Sequence, residues 1–109
     1  MEFNQYIILL SPAVEKELDK ILAYYTETIS EEFGKRKVKE LVDGIESLSF
    51  FPERGFDADN RFGKLIDPPF RTRGFVLGKE YIILYRMDDL VVRVSYLLPT
   101  RSDYMKLFN

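Results

Sequence analysis

The chain has 109 residues and a mass of 12.9 kDa, enough for one domain (1–109) with one core, and 46% hydrophobic with 31% charged residues exclude a disordered chain. It has neither cysteine nor histidine, which excludes disulfides, thiol nucleophiles and cysteine-ligated metal, and removes the commonest metal ligand and the commonest general base near neutral pH. The formal net charge of −2 is not that of a nucleic-acid binder, yet it is split: 7 Lys+Arg against 13 Asp+Glu over residues 1–59 (−6), and 9 against 5 over residues 60–109 (+4).

Tyr6-Ile7-Ile8-Leu9-Leu10 is a short apolar run with β-branched residues and reads as a buried strand. Ser11-Pro12 follows as an N-cap and first helical residue. Val14, Leu18, Ile21, Leu22, Tyr25 and Ile29 recur at steps of three and four and mark one face of a helix. Ser30-Glu31-Glu32 opens a second helix with acids at the positive end of its dipole, and Val38, Leu41, Val42, Ile45 and Leu48 continue the stripe. Phe50-Phe51-Pro52 ends it and Gly55 turns the chain, so the two helices are expected as an antiparallel hairpin. Residues 53–70, with Gly55, Gly63, Pro68 and Pro69 among Asp and Asn, read as the longest irregular loop. Period-two patterning then predicts three strands, Arg73–Leu77, Tyr81–Met87 and Leu90–Leu98, joined by Gly78-Lys79 and Asp88-Asp89 as two-residue hairpin turns. The fold class is α+β: an N-terminal strand, a helical hairpin, and an antiparallel sheet completed by three C-terminal strands.

Two-residue turns place Met87 opposite Leu90, Leu84 opposite Arg93, Arg73 opposite Leu84 and Arg71 opposite Arg86. Tyr81, Ile83, Tyr85, Met87, Leu90, Val92, Val94 and Tyr96 then form an apolar face for the helices. Arg71, Arg73, Arg86 and Arg93 share the other face with Ile82, Leu84, Val91 and Ser95. This is a candidate binding face for an acidic or anionic partner, because opposed arginines repel unless something compensates them. The alternative is internal: Asp or Glu from the 53–70 loop or the tail pairs with them. A one-residue slip in either turn would exchange the faces.

Phosphodiester cleavage needs a base, an acid and a stabiliser of the charged phosphorane. The arginines can supply only the last, so Tyr104 or a carboxylate would have to supply the others. Tyr104 reads first as a packing residue, with a catalytic acid or a stacking surface for a base as the alternatives. Asp57-Ala58-Asp59 is the nearest approach to a metal-ligand pattern and reads as a solvated loop triplet, so neither metal nor cofactor is expected. Phe62 and Phe70 flank the basic region as candidate contact residues. No apolar run approaches the ~18 residues of a membrane span, and Met1–Gln5 lacks the basic start of a secretory signal. A cytoplasmic protein without membrane partners is expected.

The order and spacing of these pieces resemble the RelE/ParE superfamily of toxins from type II toxin–antitoxin pairs. The resemblance rests on Ser11-Pro12-Ala13, the stretch Ile45 to Gly55, the strand Tyr81-Ile82-Ile83-Leu84-Tyr85-Arg86 and the ending Thr100-Arg101-Ser102-Asp103-Tyr104. It implies a small toxin held in a hetero-oligomer by a cognate antitoxin. RelE-like members are ribosome-dependent mRNA endonucleases, and on that branch Arg73, Arg86, Arg101 and Tyr104 are the catalytic candidates. ParE-like members poison DNA gyrase, and on that branch Arg71, Arg73, Arg86, Arg93 and Arg101 form the binding face. The nuclease pattern is poorly met. Ile82 stands where a basic residue often follows the first strand tyrosine, Arg71-Thr72-Arg73 only echoes a Lys-x-Lys pattern, and Pro99 to Asp103 lacks the histidine of a common ParE-like ending. The long hairpin and the Pro52–Gly55 turn favour the ParE-like side. A third reading is a degenerate member that only binds its antitoxin.

Overall fold

The computed structural model describes residues 5–100, so Arg101 and Tyr104 lie outside the described residues. Strand β1 (Ile7–Leu10) leads directly into helix α1 (Pro12–Thr28). The Ser11 hydroxyl makes this junction, accepting the Val14 N–H at 3.2 Å and donating to the Ser95 carbonyl at 2.8 Å. It therefore caps the helix and ties the helix start to the sheet. Helix α2 (Glu31–Glu46) begins the same way, with Ser30 Oγ accepting the Phe33 N–H at 3.1 Å and Glu31 and Glu32 in the first turn. The stripe buries Val14, Leu18, Ile21, Leu41, Ile45 and Leu48, while Ile29 at the hairpin tip is exposed. Two 3-10 turns, Ser47–Ser49 and Pro52–Arg54, end the hairpin.

Residues 53–70 are more regular than their composition predicts: they contain strand β2 (Phe56–Asp57) and helix α3 (Ala58–Phe62). Strands β3 (Arg73–Leu77), β4 (Tyr81–Asp88) and β5 (Val91–Pro99) follow. The five strands are ordered β1-β5-β4-β3-β2. β1 runs parallel to β5 and the other pairs are antiparallel, so the sheet is mixed. A parallel pair needs a long crossover, and the helical hairpin is part of it. One sheet face packs Leu77, Ile83, Tyr85, Val92, Val94 and Leu97 against the helices. On the other face, Ala58, Ile82 and Leu84 form a second cluster with Phe56, Phe62, Ile66 and Leu98, so the segment expected to be loop covers part of that face.

Both hairpin registers differ from the expected ones: one loop gains a residue and the other two-residue turn shifts by one. The β3–β4 loop has three residues, Gly78-Lys79-Glu80, with Leu77 opposite Tyr81. Gly78 has a φ of 62°, which favours glycine, and Thr100 closes the loop by donating its N–H to the Glu80 carbonyl and its hydroxyl to the Lys79 carbonyl, both at 2.8 Å. The β4–β5 turn is Asp89-Leu90, with Asp88 opposite Val91 and Asp89 at a φ of 57°. A bulge at Leu84/Tyr85 leaves Ser95 as the extra residue, so Leu84 pairs with Tyr96 and Tyr85 with Val94. The bulge turns Tyr96 to the face away from the helices and sends Leu97 into the core.

Candidate binding surface

The three-residue loop reverses β3 relative to the expected pairing. Arg73 now lies opposite Tyr85, on the helix side of the sheet, and Arg86 lies opposite Arg93 on the other side. The expected row of four arginines on one face is therefore split, and Arg71 lies just outside the strands, before β3.

Arg86, with a side chain only 20% exposed, donates through Nη1 to Asp67 at 2.8 Å and lies under the Phe70 ring at 3.7 Å from its centroid. Asp67 and Phe70 are the ends of one tight turn, closed by the Phe70 N–H on the Asp67 carbonyl at 2.9 Å around the cis Pro68–Pro69 bond. Arg93 pairs with Asp88 at 3.3 Å, and Arg71 with Asp57 at 2.7 Å and Asp59 at 3.6 Å. For Arg71 and Arg86 the carboxylates come from residues 57–67, within the segment expected as a loop, whereas Arg93 pairs with Asp88 at the end of its neighbouring strand.

Asp57 and Asp59 are structural, and Asp59 is not the solvated residue expected. Asp57 caps α3, and the Asn60 N–H on its carboxylate, with Arg71 behind it, holds that carboxyl below its ordinary pKa. Asp59, 3% exposed, accepts the backbone N–H groups of Ile66 at 2.9 Å and Thr72 at 2.7 Å. Among the described residues no group of three or more carboxylates is placed to hold a metal ion.

Arg54, Arg61 and Tyr85 carry features the sequence did not single out. Arg54 donates to Ser47 Oγ at 2.6 Å and lies 4.9 Å from the Phe75 ring centroid, and Arg61 lies 4.2 Å from that of Phe56. Arg73 donates through Nη1 to the carbonyls of Glu53 and Gly55, each at 3.2 Å. The Tyr85 hydroxyl sits inside this turn, donating to the Pro52 carbonyl at 2.5 Å and accepting the Gly55 N–H at 3.0 Å. A Cβ at Gly55 would collide with that hydroxyl, so only glycine fits. Burial pushes the Tyr85 hydroxyl pKa up. The only sequence signal for this arrangement was the Pro-Glu-Arg-Gly turn itself.

What stays open is the β1–β5 part of the sheet face away from the helices. Ile7 (59% exposed), Leu9 and the half-buried Val91 lie beside Arg93 there, because β1 pairs Ile7 with Val91 and Leu9 with Arg93, and the exposed Tyr96 is on the same face beyond the bulge. Apolar and cationic groups are interleaved as on a protein-docking face.

A family model described as the ParE toxin of the type II toxin–antitoxin system parDE matches residues 8–104. The chain belongs to the ParE toxin family. Among solved structures, a chain from the chromosomal ParDE toxin–antitoxin system of P. aeruginosa is similar with a TM-score of 0.69 and 14% identity, covering 88% of this chain and 97% of that one. At that identity the likeness shows a shared fold. No curated protein matches. For this ParE-family chain the α+β fold is that of the solved relative, and no helix among its described residues is long and apolar enough to cross a membrane.

Proposed function

We propose that this chain inhibits growth by binding an essential protein target, DNA gyrase, and that a cognate antitoxin silences it in a cytoplasmic hetero-oligomer. The observation that carries the choice of binding over cleavage is the state of the sheet arginines. Of the nuclease candidates among the described residues, Arg86 is engaged by Asp67 and Phe70, and Arg73 by the carbonyls of Glu53 and Gly55. A guanidinium already committed to internal partners is poorly placed to stabilise a phosphorane. With no histidine in the chain, the general-base role lacks its commonest occupant. The open face with exposed Ile7, Leu9, Arg93 and Tyr96 is suited to a protein surface.

Two assays in parallel test this. Purified chain should inhibit supercoiling by gyrase, and added antitoxin should relieve the inhibition. On programmed ribosomes it should leave mRNA intact. Discrete cleavage products that vanish in Arg101→Ala or Tyr104→Phe would instead establish the RelE-like endonuclease. Tight antitoxin binding with neither activity would mark a degenerate toxin.

A further inference from the structure

Strand β1 lies at one margin of the sheet, with β5 on its inner side and, among the described residues, no strand on its outer side. Ile7 and Ser11 donate their N–H groups inward, to the Leu90 and Val94 carbonyls at 2.8 and 2.9 Å. By strand alternation Ile8 and Leu10 turn their N–H and C=O outward, and among the described residues no backbone group pairs with them. Tyr6 faces outward as well, but its N–H is taken by the Ser49 carbonyl at 2.7 Å. Edge strands are ordinarily blunted by a charge, a proline or a bulge. Ile7–Leu10 has none of these, and the whole stretch from Tyr6 to Val14 is uncharged. Ile7 and Leu9 stand exposed on one face of this margin, and Phe50 is exposed beside Tyr6 and Ile8 on the other.

We infer that this edge pairs with β1 of a second copy of the chain, antiparallel about a two-fold axis through Leu9, so that two five-stranded sheets become one of ten strands. This register uses every outward group. It sets Ile8 opposite Leu10 of the second copy, and Leu10 opposite Ile8 of that copy, so each N–H meets a C=O. An axis through Leu10 would set Ile8 against Pro12, which has no N–H. An axis through Ile8 would set Leu10 against Tyr6, whose N–H is already bonded. An axis between two residues would oppose an outward-turned residue to an inward-turned one.

Charge favours a copy of the same chain as the occupant. Two uncharged strands bring no like charges opposite each other in any register. A cavity of about 560 Å³ lies beside the edge, lined by Tyr6, Ile8, Ser49, Phe50 and the exposed Glu46. Lys39, the cation near Glu46, is already paired with Asp43 at 2.8 Å. The second copy turns from strand into helix at this end, so the positive N-terminal end of its α1, capped by Ser11, comes to Glu46. A four-residue edge with Ile7, Leu9 and Phe50 offers less than the ~800 Å² per partner of a standard interface, which points to a micromolar dimer. The pairing does not depend on the toxin reading, and it joins the open faces around Arg93 of two copies into one continuous surface.

Sedimentation of the full chain from about 1 to 300 µM should show a monomer–dimer equilibrium with a Kd of about 1–100 µM. Amide hydrogen exchange at Ile8 and Leu10 should slow at least about threefold across that range, while Tyr6, already bonded, stays unchanged. Leu9→Lys sets two ammonium groups against each other on the axis and should leave only monomer. Glu46→Lys should weaken the dimer about tenfold, because its contact occurs twice. The chain has no cysteine, so single thiols report the register. Leu9→Cys sets two Cα atoms ~4.5 Å apart, within the ~4.4–6.8 Å of a disulfide, and diamide should cross-link it. Ile7→Cys sets them ~14 Å apart and should not cross-link. The thiol pair decides the question if Leu9→Lys lowers the melting temperature. A chain that sediments as monomer throughout overturns the pairing, as does cross-linking of Ile7→Cys as fast as Leu9→Cys. Protection of Ile8 and Leu10 only when antitoxin is added assigns the edge to the antitoxin and overturns it too.

Discussion

Tyr85 joins two parts of the chain that sequence patterning treats separately. Its ring is fully buried on β4, as period-two alternation predicts, but its hydroxyl reaches across to the turn after the helices and satisfies Pro52 and Gly55. Tyr85→Phe keeps the ring and strands the Gly55 N–H, so it should cost ~1–3 kcal/mol, read as a lowered denaturant midpoint. An unchanged midpoint would mean that this turn contributes nothing to global stability. Arg86 is a second case in which burial decides. Because its guanidinium is enclosed by Asp67 and Phe70, Arg86→Glu should set a carboxylate against Asp67 and lower the melting temperature sharply. Reversal at the more exposed Arg93 should leave the melt within the ~0.5 kcal/mol typical of surface changes.

Elements differ in how they are held. The helical hairpin is held by its stripe, and Leu41→Ala or Ile45→Ala should each cost ~2–5 kcal/mol in denaturant melts. If both leave the midpoint unmoved, the hairpin does not contribute to the main core. The 56–72 segment is held by a few polar anchors and a small apolar cluster instead. Asp59→Ala leaves the Ile66 and Thr72 N–H groups without their acceptor, at ~1–3 kcal/mol for each one that water cannot reach. Limited proteolysis should then cut within residues 57–72 before any other described region, and equal cutting of the unaltered chain would argue against the anchor. Composition hid this segment. Its Gly, Pro, Asp and Asn content signals loop, and the decisive bonds run from Asp59 to residues seven and thirteen positions away.

At the scale of the whole molecule, the missing residue types set the pH response. With no histidine and no cysteine, no side chain has an ordinary pKa between about 5 and 8, so the melting temperature should be nearly flat there. Burial raises the Tyr81 and Tyr85 hydroxyl pKa values, and the Glu80 hydrogen bond raises that of Lys37. All three act in one direction. Each folded pKa exceeds its unfolded value of 10.0 for tyrosine or 10.5 for lysine, so the stabilisation is intact below pH 10 and lost as pH rises through the folded values. Melts between pH 7 and 11 should fall steeply above 10, and Tyr81→Phe should blunt that fall. A steep fall already between pH 6 and 8 would contradict it. On the acid side, the depressed Asp57 contributes above its unfolded 3.8 and loses that contribution below it.

The sequence by itself determined the two long helices with their caps and four of the five strands. Ser11-Pro12 and Ser30-Glu31-Glu32 start helices through bonds only three residues long, and the 3.6- and 2-residue periods mark buried faces without reference to the rest of the chain. It also carried enough family pattern to indicate a toxin of this superfamily. The tertiary structure alone decided which arginines stand together. A third residue in the Gly78-Lys79-Glu80 loop and one extra residue at Ser95 are invisible to alternation, yet each moves every side chain beyond it to the opposite face. Arg73 was thereby separated from Arg86 and placed beside Arg54, and Tyr96 was exchanged for Leu97 in the core. The physical reason is that side-chain direction in a strand has a period of two, so an error of one residue in a turn, where local preference is weakest, reverses a whole face.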